Sequence, residues 1–308
     1  MSREQFTCIA NPVSGKGKAL TEATALQEQL QKQNHQCHLL ISEYKGHIAL
    51  LVNKALENNC TQFIIAGGDG TLNECINAFC SSPHFAPGKI AFTVLPFGTG
   101  NDFAHHLQLR NTALSAANRM LQKKIMVHDV GYIEKTEAPQ HRKYFINMAG
   151  FAFDALVAKT ANHIKQKNFR GKWIYYVALL RHLFVYRSIP CSLNIASQNT
   201  LRIPLFTGAI GIGKSNGGGM LQCPLAIPND GLFDITLIEK MNLGAIVLSF
   251  PKLFNGKIYE HKKVHHYKCS SLELKSESNM LIECDGEDAM QLPCRVQIIP
   301  QAFRVYID

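Results

Sequence analysis

The sequence predicts two domains: an α/β domain built on a parallel sheet over residues 1–128, and a C-terminal antiparallel β-sandwich domain over residues 129–308. Three observations carry this. Up to residue 128, short apolar runs alternate with segments of helical periodicity, the order that yields a parallel sheet covered on both faces. Beyond it, the runs are bounded by Gly, Pro, Asn and Ser and mostly follow one another without helices, as in antiparallel sandwiches and barrels. The 308 residues, 46% hydrophobic and 18% charged, suffice for two cores and exclude disordered and fibrous chains.

In the first half, residues 6–10 read as a strand, 19–33 as a helix, 37–42 as a strand and 48–58 as a helix. Residues 63–66 form a buried strand, 72–79 a helix and 90–95 another strand. Loops at the C-terminal ends of such strands make the ligand crevice of an open α/β sheet. Three loops fit that position: NPVSGKGK (11–18), GGDGTLNE (67–74) and PFGTGND (96–102).

In the second half, strands are expected at 129–133, 144–148, 191–195, 202–212, 232–238, 271–275, 280–284, 296–299 and 303–307. Helices at 155–187 and 243–259 interrupt them, and 134–143 reads as a loop rich in charge and proline. The extreme C-terminus could pack back on the first domain.

The chemistry starts at GGDGTLNE. A strand ends, Gly67, Gly68 and Gly70 permit positive φ and close backbone approach, and a helix opening at Thr71 exposes N–H groups beside its positive end. That combination makes a phosphate site. Thr71 and Glu74 also fit a capping box, so either could simply close the helix end. Asp69 has no such explanation, because a carboxylate facing a phosphate crevice is repelled unless a cation or its water shell lies between them. PFGTGND repeats the logic with Gly98 and Gly100 for backbone approach, Thr99 for a phosphate oxygen, and Asn101 and Asp102 as polar ends.

A competing signal, GAIGIGKS at 208–215, matches the phosphate-loop pattern letter for letter. It requires a helix starting at Lys214, yet NGGGM follows, the poorest helix start available. The segment is therefore read as a strand leading to a glycine-rich loop.

The formal charge of +9 favours an anionic partner: nucleic acid, an acidic membrane surface or a phosphorylated small molecule. No recognition-helix or RNP-like pattern supports nucleic acid. The ten cysteines include no C-x-x-C pair and read as reduced thiols of a cytosolic protein. No apolar stretch approaches the roughly 18 to 20 residues that span a bilayer, so any membrane contact is peripheral. Basic residues mix with aromatics at 165–176 and 261–268, which could dock on anionic headgroups or form a solvated face over core aromatics. The pairs His105-His106 and His265-His266 read as surface or packing residues.

NPVSG (11–15), GGDGTLNE, PFGTGNDFA (96–104), PLAIPNDGLFD (224–234) and CDGE (284–287) stand in the order of the diacylglycerol kinase catalytic family, which the chain resembles over most of its length. The resemblance is to soluble bacterial lipid kinases, similar to diacylglycerol, sphingosine and ceramide kinases. It implies a Rossmann-like first domain of the phosphofructokinase and NAD-kinase type, with ATP bound beside a cleft and the lipid brought by the second domain. Asp285 is then the expected general base, with Glu287 joining a Mg²⁺-linked network with Asp69 and Asp102. Asp230 would hold a second, structural Mg²⁺ with the carbonyls of Ile227 and Leu232. The nucleotide side would comprise Asn11, Ser14, Gly68, Thr71, Glu74 and Thr99. Without the resemblance, Asp285-Gly286 and Asp230-Gly231 are above all hairpin-turn signals.

The expected activity is phosphoryl transfer from ATP to a lipid hydroxyl at a membrane surface, diacylglycerol giving phosphatidic acid. A sphingoid base, ceramide or phosphatidylglycerol is the alternative acceptor. An NAD-kinase-like enzyme shares GGDGT, and a nucleotide-binding regulator without catalysis is the reading from another class. The expected setting is the cytoplasm, peripherally on membrane; exposed strands of the second half could pair two copies into a homodimer.

Overall fold

The computed structural model describes residues 4–166, 173–184, 186–195 and 200–308. The chain divides into two compact units, Met1–Asp129 with Pro300–Asp308, and Val130–Ile299. The first is an α/β unit with a parallel sheet; the second is mostly antiparallel β.

In the first unit the order is β1 (Gln5–Ala10), α1 (Lys18–Lys32), β2 (Gln36–Ile41), α2 (His47–Glu57), β3 (Gln62–Gly67) and α3 (Asp69–Ser81). Then come β4 (Ala91–Pro96), α4 (Asp102–His106) and α5 (Ala113–Gln122), and β5 (Ile125–Lys135) leads into the second unit. There follow β6 (Ala138–Phe145), β7 (Met148–Ala152), α6 (Phe153–Gln166), α7 (Trp173–Leu183), β8 (Ile189–Ile195), β9 (Leu201–Gly211) and β10 (Phe233–Glu239). The rest are α8 (Leu243–Ser249), α9 (Lys252–Asn255), β11 (Val264–Cys269), β12 (Ser271–Ser276), β13 (Leu281–Cys284), β14 (Glu287–Gln291) and β15 (Cys294–Tyr306).

The strands of the first unit lie in the order β2-β1-β3-β4, all parallel, and the end of β15 adds parallel to β4 through Arg304 and Val305. The fully buried run Phe63–Ala66 suits a strand covered on both faces. Helix α1 buries Ala19, Ala23, Leu26 and Leu30, one face at helical spacing, against Phe6, Cys8 and Ile64 of the sheet. The chain goes from β1 outward to β2 and then returns past β1 to β3. The strand order therefore reverses between β1 and β3, the switch point at which open α/β sheets bind ligands.

In the second unit β9 is central, pairing antiparallel with β7, β8 and β10. The core includes Phe145, Phe151, Leu193, Ile210, Phe233 and Ile282. A separate cluster of Phe153, Val157, Ala161, Ile174, Ala178 and Leu183 joins α6 and α7 to Phe206 of β9.

Several elements differ from expectation. Helices α4 and α5 were not anticipated; α5 is capped by Thr112, whose side chain accepts the Ser115 N–H at 3.2 Å. The charged stretch 134–143 is no loop: β6 pairs with β5, and Arg142 meets Glu134 at 3.0 Å. The helix expected over 155–187 is α6 and α7, between which residues 167–172 lie outside the described residues. The helix expected over 243–259 stops after about two turns, because Pro251 cannot continue α8 and Gly256, at φ 75°, ends α9. The basic segment 261–268 contains β11, paired with β10, and strand pairing brings His265 to Glu239 at 2.7 Å and His266 to Asp234 at 2.5 Å. The ten cysteines are free.

Candidate active site

The loops after β1, β3 and β4 meet at the switch point of the first unit. Phe97 N–H donates to the Gly67 carbonyl at 2.7 Å, and Asn11 N–H to the Ala66 carbonyl at 2.9 Å, so each loop starts tied to the end of β3. Asn11 Nδ2 donates to Thr71 Oγ1 at 3.1 Å, linking the first loop to α3. Ser14 is placed by its own N–H, which donates to the Asn11 carbonyl at 3.2 Å.

The glycines work by what they lack. Gly67, Gly68, Gly70, Gly98 and Gly100 are absent from the positive-φ residues, contrary to expectation. A Cβ on Gly68 would lie 2.7 Å from Gly98 Cα, and one on Gly67 would lie 2.5 Å from the Thr71 side chain. Two backbones therefore touch here, an approach that only glycine allows. Positive φ falls instead on Asn101, at 56°, whose side chain closes its own loop: Oδ1 accepts the Gly98 N–H at 2.7 Å and Nδ2 donates to the Gly98 carbonyl at 3.0 Å. Thr99 is left exposed at the tip.

Helix α3 starts at Asp69, two residues earlier than expected, so Thr71 and Glu74 lie inside the helix and form no capping box. Thr71 is buried. Burial raises the Glu74 pKa, opposed by the Gly46 and Ala49 amides at the start of α2, so Glu74 faces that helix. Asp69 does have a structural partner: Oδ2 accepts the Asn101 N–H at 2.6 Å, joining the two glycine loops. Burial, with the Asp102 carboxylate beside it, still pushes the Asp69 pKa up to about 6. A Cβ on Gly100 would stand 2.9 Å from Asp69 Oδ2 and 3.3 Å from Asp102 Oδ2, so both oxygens border one small space. Two carboxylates that repel each other across one small space suit a divalent cation, and Mg²⁺ fits this pair.

In the second unit, Asp285-Gly286 is the turn between β13 and β14, with φ of 51° and 78°, the left-handed pair that Asp-Gly tolerates best. The Asp285 carboxylate also gathers three amides: Oδ2 accepts from Ile146 at 2.9 Å, and Oδ1 from Asn147 at 3.0 Å and Met148 at 2.9 Å. Glu287 is exposed and opens β14 opposite Cys284.

The second metal site does not fit. Asp230 Oδ1 accepts the Leu232 N–H at 3.0 Å, and its Oδ2 meets Lys268 Nζ at 3.2 Å. The same ammonium lies 3.3 Å from Asp234 Oδ2, so a lysine supplies the cation that the resemblance assigned to Mg²⁺ held by Asp230, Ile227 and Leu232. Among the described residues no cluster of three or more His, Cys, Asp or Glu side chains is arranged to hold a metal.

The sequence reading missed Glu283, Asp154 and Asn147. Glu283 is 1% exposed; Oε1 accepts the Gly150 N–H at 2.9 Å and Oε2 the Gly286 N–H. Burial and the Asp154 carboxylate beside it hold its pKa well above the usual range. A Cβ on Gly150 would be 2.1 Å from Asp154 Oδ2 and 2.6 Å from Glu283 Oε1, so the two acids sit together over that glycine. Asn147 Nδ2 donates to the Ser215 carbonyl at 2.8 Å. The lone acid in the buried run LIEC was the available signal for Glu283.

Asp154 also walls a cavity of about 330 Å³ in the same unit. Its lining is almost wholly apolar and includes Phe153, Leu179, Leu183, Phe206, Ile246 and Phe250. The candidate phosphate-loop segment ends β9 and turns through Gly217–Gly219, with no helix at Lys214.

A switch-point crevice lined by glycine loops in one unit and an apolar cavity in the other suit a kinase of lipids, and the comparisons show that family. The diacylglycerol kinase catalytic domain matches residues 5–133, and the YegS C-terminal NAD kinase beta sandwich-like domain matches residues 147–307. The chain belongs to this diacylglycerol kinase and YegS-like lipid kinase family. A diacylglycerol kinase of Mycobacterium tuberculosis is 26% identical over 98% of this chain and 94% of its own length. A YegS-like lipid kinase of Shewanella frigidimarina is 28% identical over 89% of this chain and 85% of its own. A diacylglycerol kinase structure from Bacillus anthracis has the same fold, with a TM-score of 0.76 at 19% identity over 100% of this chain and 98% of that one.

Proposed function

We propose that this lipid kinase transfers the γ-phosphate of ATP to the free hydroxyl of diacylglycerol, giving phosphatidic acid. The observation that carries the acceptor class is the apolar cavity: its acidic wall, Asp154, packs beside Glu283, two residues before Asp285. A lipid with its chains in that cavity would present its polar end towards the Asp285 turn. NAD, the acceptor of the rival kinase reading, has no chain to fill such a space.

The geometry supports the following roles. Phosphoryl transfer proceeds through a loose transition state, so positioning and charge neutralisation do most of the work. The amides around Gly67, Gly68, Gly70 and Gly98, with Asn11, Ser14, Thr71 and Thr99, bind the nucleotide. Asn101 holds the shape of its loop. Asp69 and Asp102 would hold Mg²⁺, which would supply positive charge to the phosphates. Asp285 accepts the hydroxyl proton, and the three amides that hold its carboxylate fix its orientation. Glu287 adds an acidic group to the same turn.

The test is a label-transfer assay with radioactive ATP, supplied in parallel with a total lipid extract and with NAD. Label is expected in a lipid that co-migrates with phosphatidic acid. Label in NADP alone would overturn the reading, and label in a phosphorylated sphingoid base or ceramide would replace diacylglycerol as the substrate.

A further inference from the structure

We propose that α7, α8 and α9 form a docking face around the mouth of the apolar cavity, and that this face seats on the surface of an anionic bilayer. The inference rests on the lipid kinase reading and adds the surface from which the substrate enters.

Two residues line the cavity and are also exposed: Leu180 of α7 at 54% and Val247 of α8 at 62%. They mark the mouth. The exposed apolar surface continues outward through Phe184 at 71% and Leu248 at 80%. On the α7 side Val177, Leu180 and Phe184 follow at intervals of three and four, a single helical stripe turned outward instead of into the core. Scattered exposed hydrophobics need no explanation, but a contiguous group around a cavity mouth marks an interaction site.

Charge selects the occupant. From Lys240 to Tyr259 the chain has three lysines and no Asp or Glu, and from Trp173 to Ser188 it has Arg181 and Arg187 and no acid. The nearest carboxylates in sequence are paired, Glu239 with His265 at 2.7 Å and Glu260 with Lys252 at 3.3 Å, so Lys240, Lys257, Arg181 and Arg187 carry the positive charge of these two runs. An apolar patch bordered by cations matches the acyl boundary and headgroups of an anionic membrane. A second copy of the chain, seated on the same face, would bring those cations together. The basic segment 261–268 is not this surface, because its His265, His266 and Lys268 are held by carboxylates along β11; the other segment, 165–176, falls partly outside the described residues.

The test compares the wild-type chain with the double variant Phe184→Asp/Leu248→Asp, which alters two exposed side chains that do not line the cavity. Binding is measured by co-sedimentation with phosphatidylcholine vesicles with and without phosphatidylglycerol, and oligomeric state by sedimentation velocity. The wild type is expected to bind the phosphatidylglycerol vesicles at least about tenfold more tightly, and the variant to lose at least about tenfold of that affinity. Both proteins should phosphorylate dissolved dioctanoylglycerol at the same rate. Equal vesicle binding by the two proteins, no preference for the anionic vesicles, or a wild-type dimer that the variant breaks would overturn the proposal. Vesicle binding as expected, with no turnover of dioctanoylglycerol by either protein, would uphold docking and sink the diacylglycerol reading instead.

Discussion

Two glycine-rich regions, one in each unit, use the same residue for opposite purposes. Around Gly68 and Gly98 the backbone is ordinary in φ, and the glycines are there because a Cβ would strike the neighbouring chain at 2.7 Å. At Gly217, Gly218 and Gly219 the φ values are 62°, 86° and 101°, and a Cβ on Gly218 or Gly219 would meet nothing within 4 Å. The first region is a close approach of two backbones, and the second is a turn in open space. Letter patterns cannot separate them, since the second follows a perfect phosphate-loop match and the first does not contain one.

The comparison can be strained in several ways. The largest effect concerns a carboxylate of the other unit, Asp285. Asp285→Asn should lower kcat by about 10² to 10⁴, the usual worth of a general base. The variant should stay folded but be less stable by about 1–3 kcal/mol, since its amide nitrogen cannot accept the Ile146 N–H that Oδ2 accepts. Full turnover in a folded variant would remove Asp285 from the chemistry.

Next in size, Gly68→Ala and Gly218→Ala should cost similar stability for different reasons. Two touching backbones must part in the first, about 1–3 kcal/mol; the second strains one left-handed residue, about 1–2 kcal/mol. Only Gly68→Ala should raise the KM for ATP. Equal nucleotide kinetics in the two variants, measured at matched folded fraction, would erase the distinction between site and turn.

The smallest expected effect is a pH dependence at Asp69. Burial, with Asp102 beside it, raises its pKa from 3.8 to about 6, so the folded chain binds this proton more tightly than the unfolded one. That contribution is fully present below pH 3.8 and is lost as pH rises through about 6. Asp69→Asn keeps an acceptor for the Asn101 amide. In urea unfolding without Mg²⁺ it should be more stable than wild type at pH 7 by about 1–2 kcal/mol and equal to it near pH 4. Millimolar Mg²⁺ should close the gap at pH 7, and a gap that persists would leave this carboxylate pair without its metal.

The alternation of strand and helix up to residue 128 made the parallel sheet legible, and the three loops at its crevice could be named from their glycines and polar ends. The fully buried run Phe63–Ala66 carried that signal most clearly. What escaped was set by contacts distant in sequence. Asp69 looked unexplained because its amide donor, Asn101, is 32 residues away. Glu283 and Asp154 become a pair only when β13 folds beside β7 and brings Gly150 between them. Lys268 reaches Asp230 across the β10–β11 pairing, and β11 itself was hidden under a basic composition that usually signals a surface. Breaks in helices were harder to see than helices: Pro251 and Gly256 cut a continuous apolar periodicity into short pieces.

The choice of a lipid acceptor rests on the cavity as the seat of the acyl chains. Ile246 lines it from α8 and is half-buried, so a larger ring there narrows the space without reaching the phosphate loops. The direct measurement is steady-state kinetics of Ile246→Trp with dissolved dioctanoylglycerol and ATP. A KM for the lipid raised about tenfold, with the KM for ATP unchanged, is the predicted result. Unchanged constants for both substrates would contradict it.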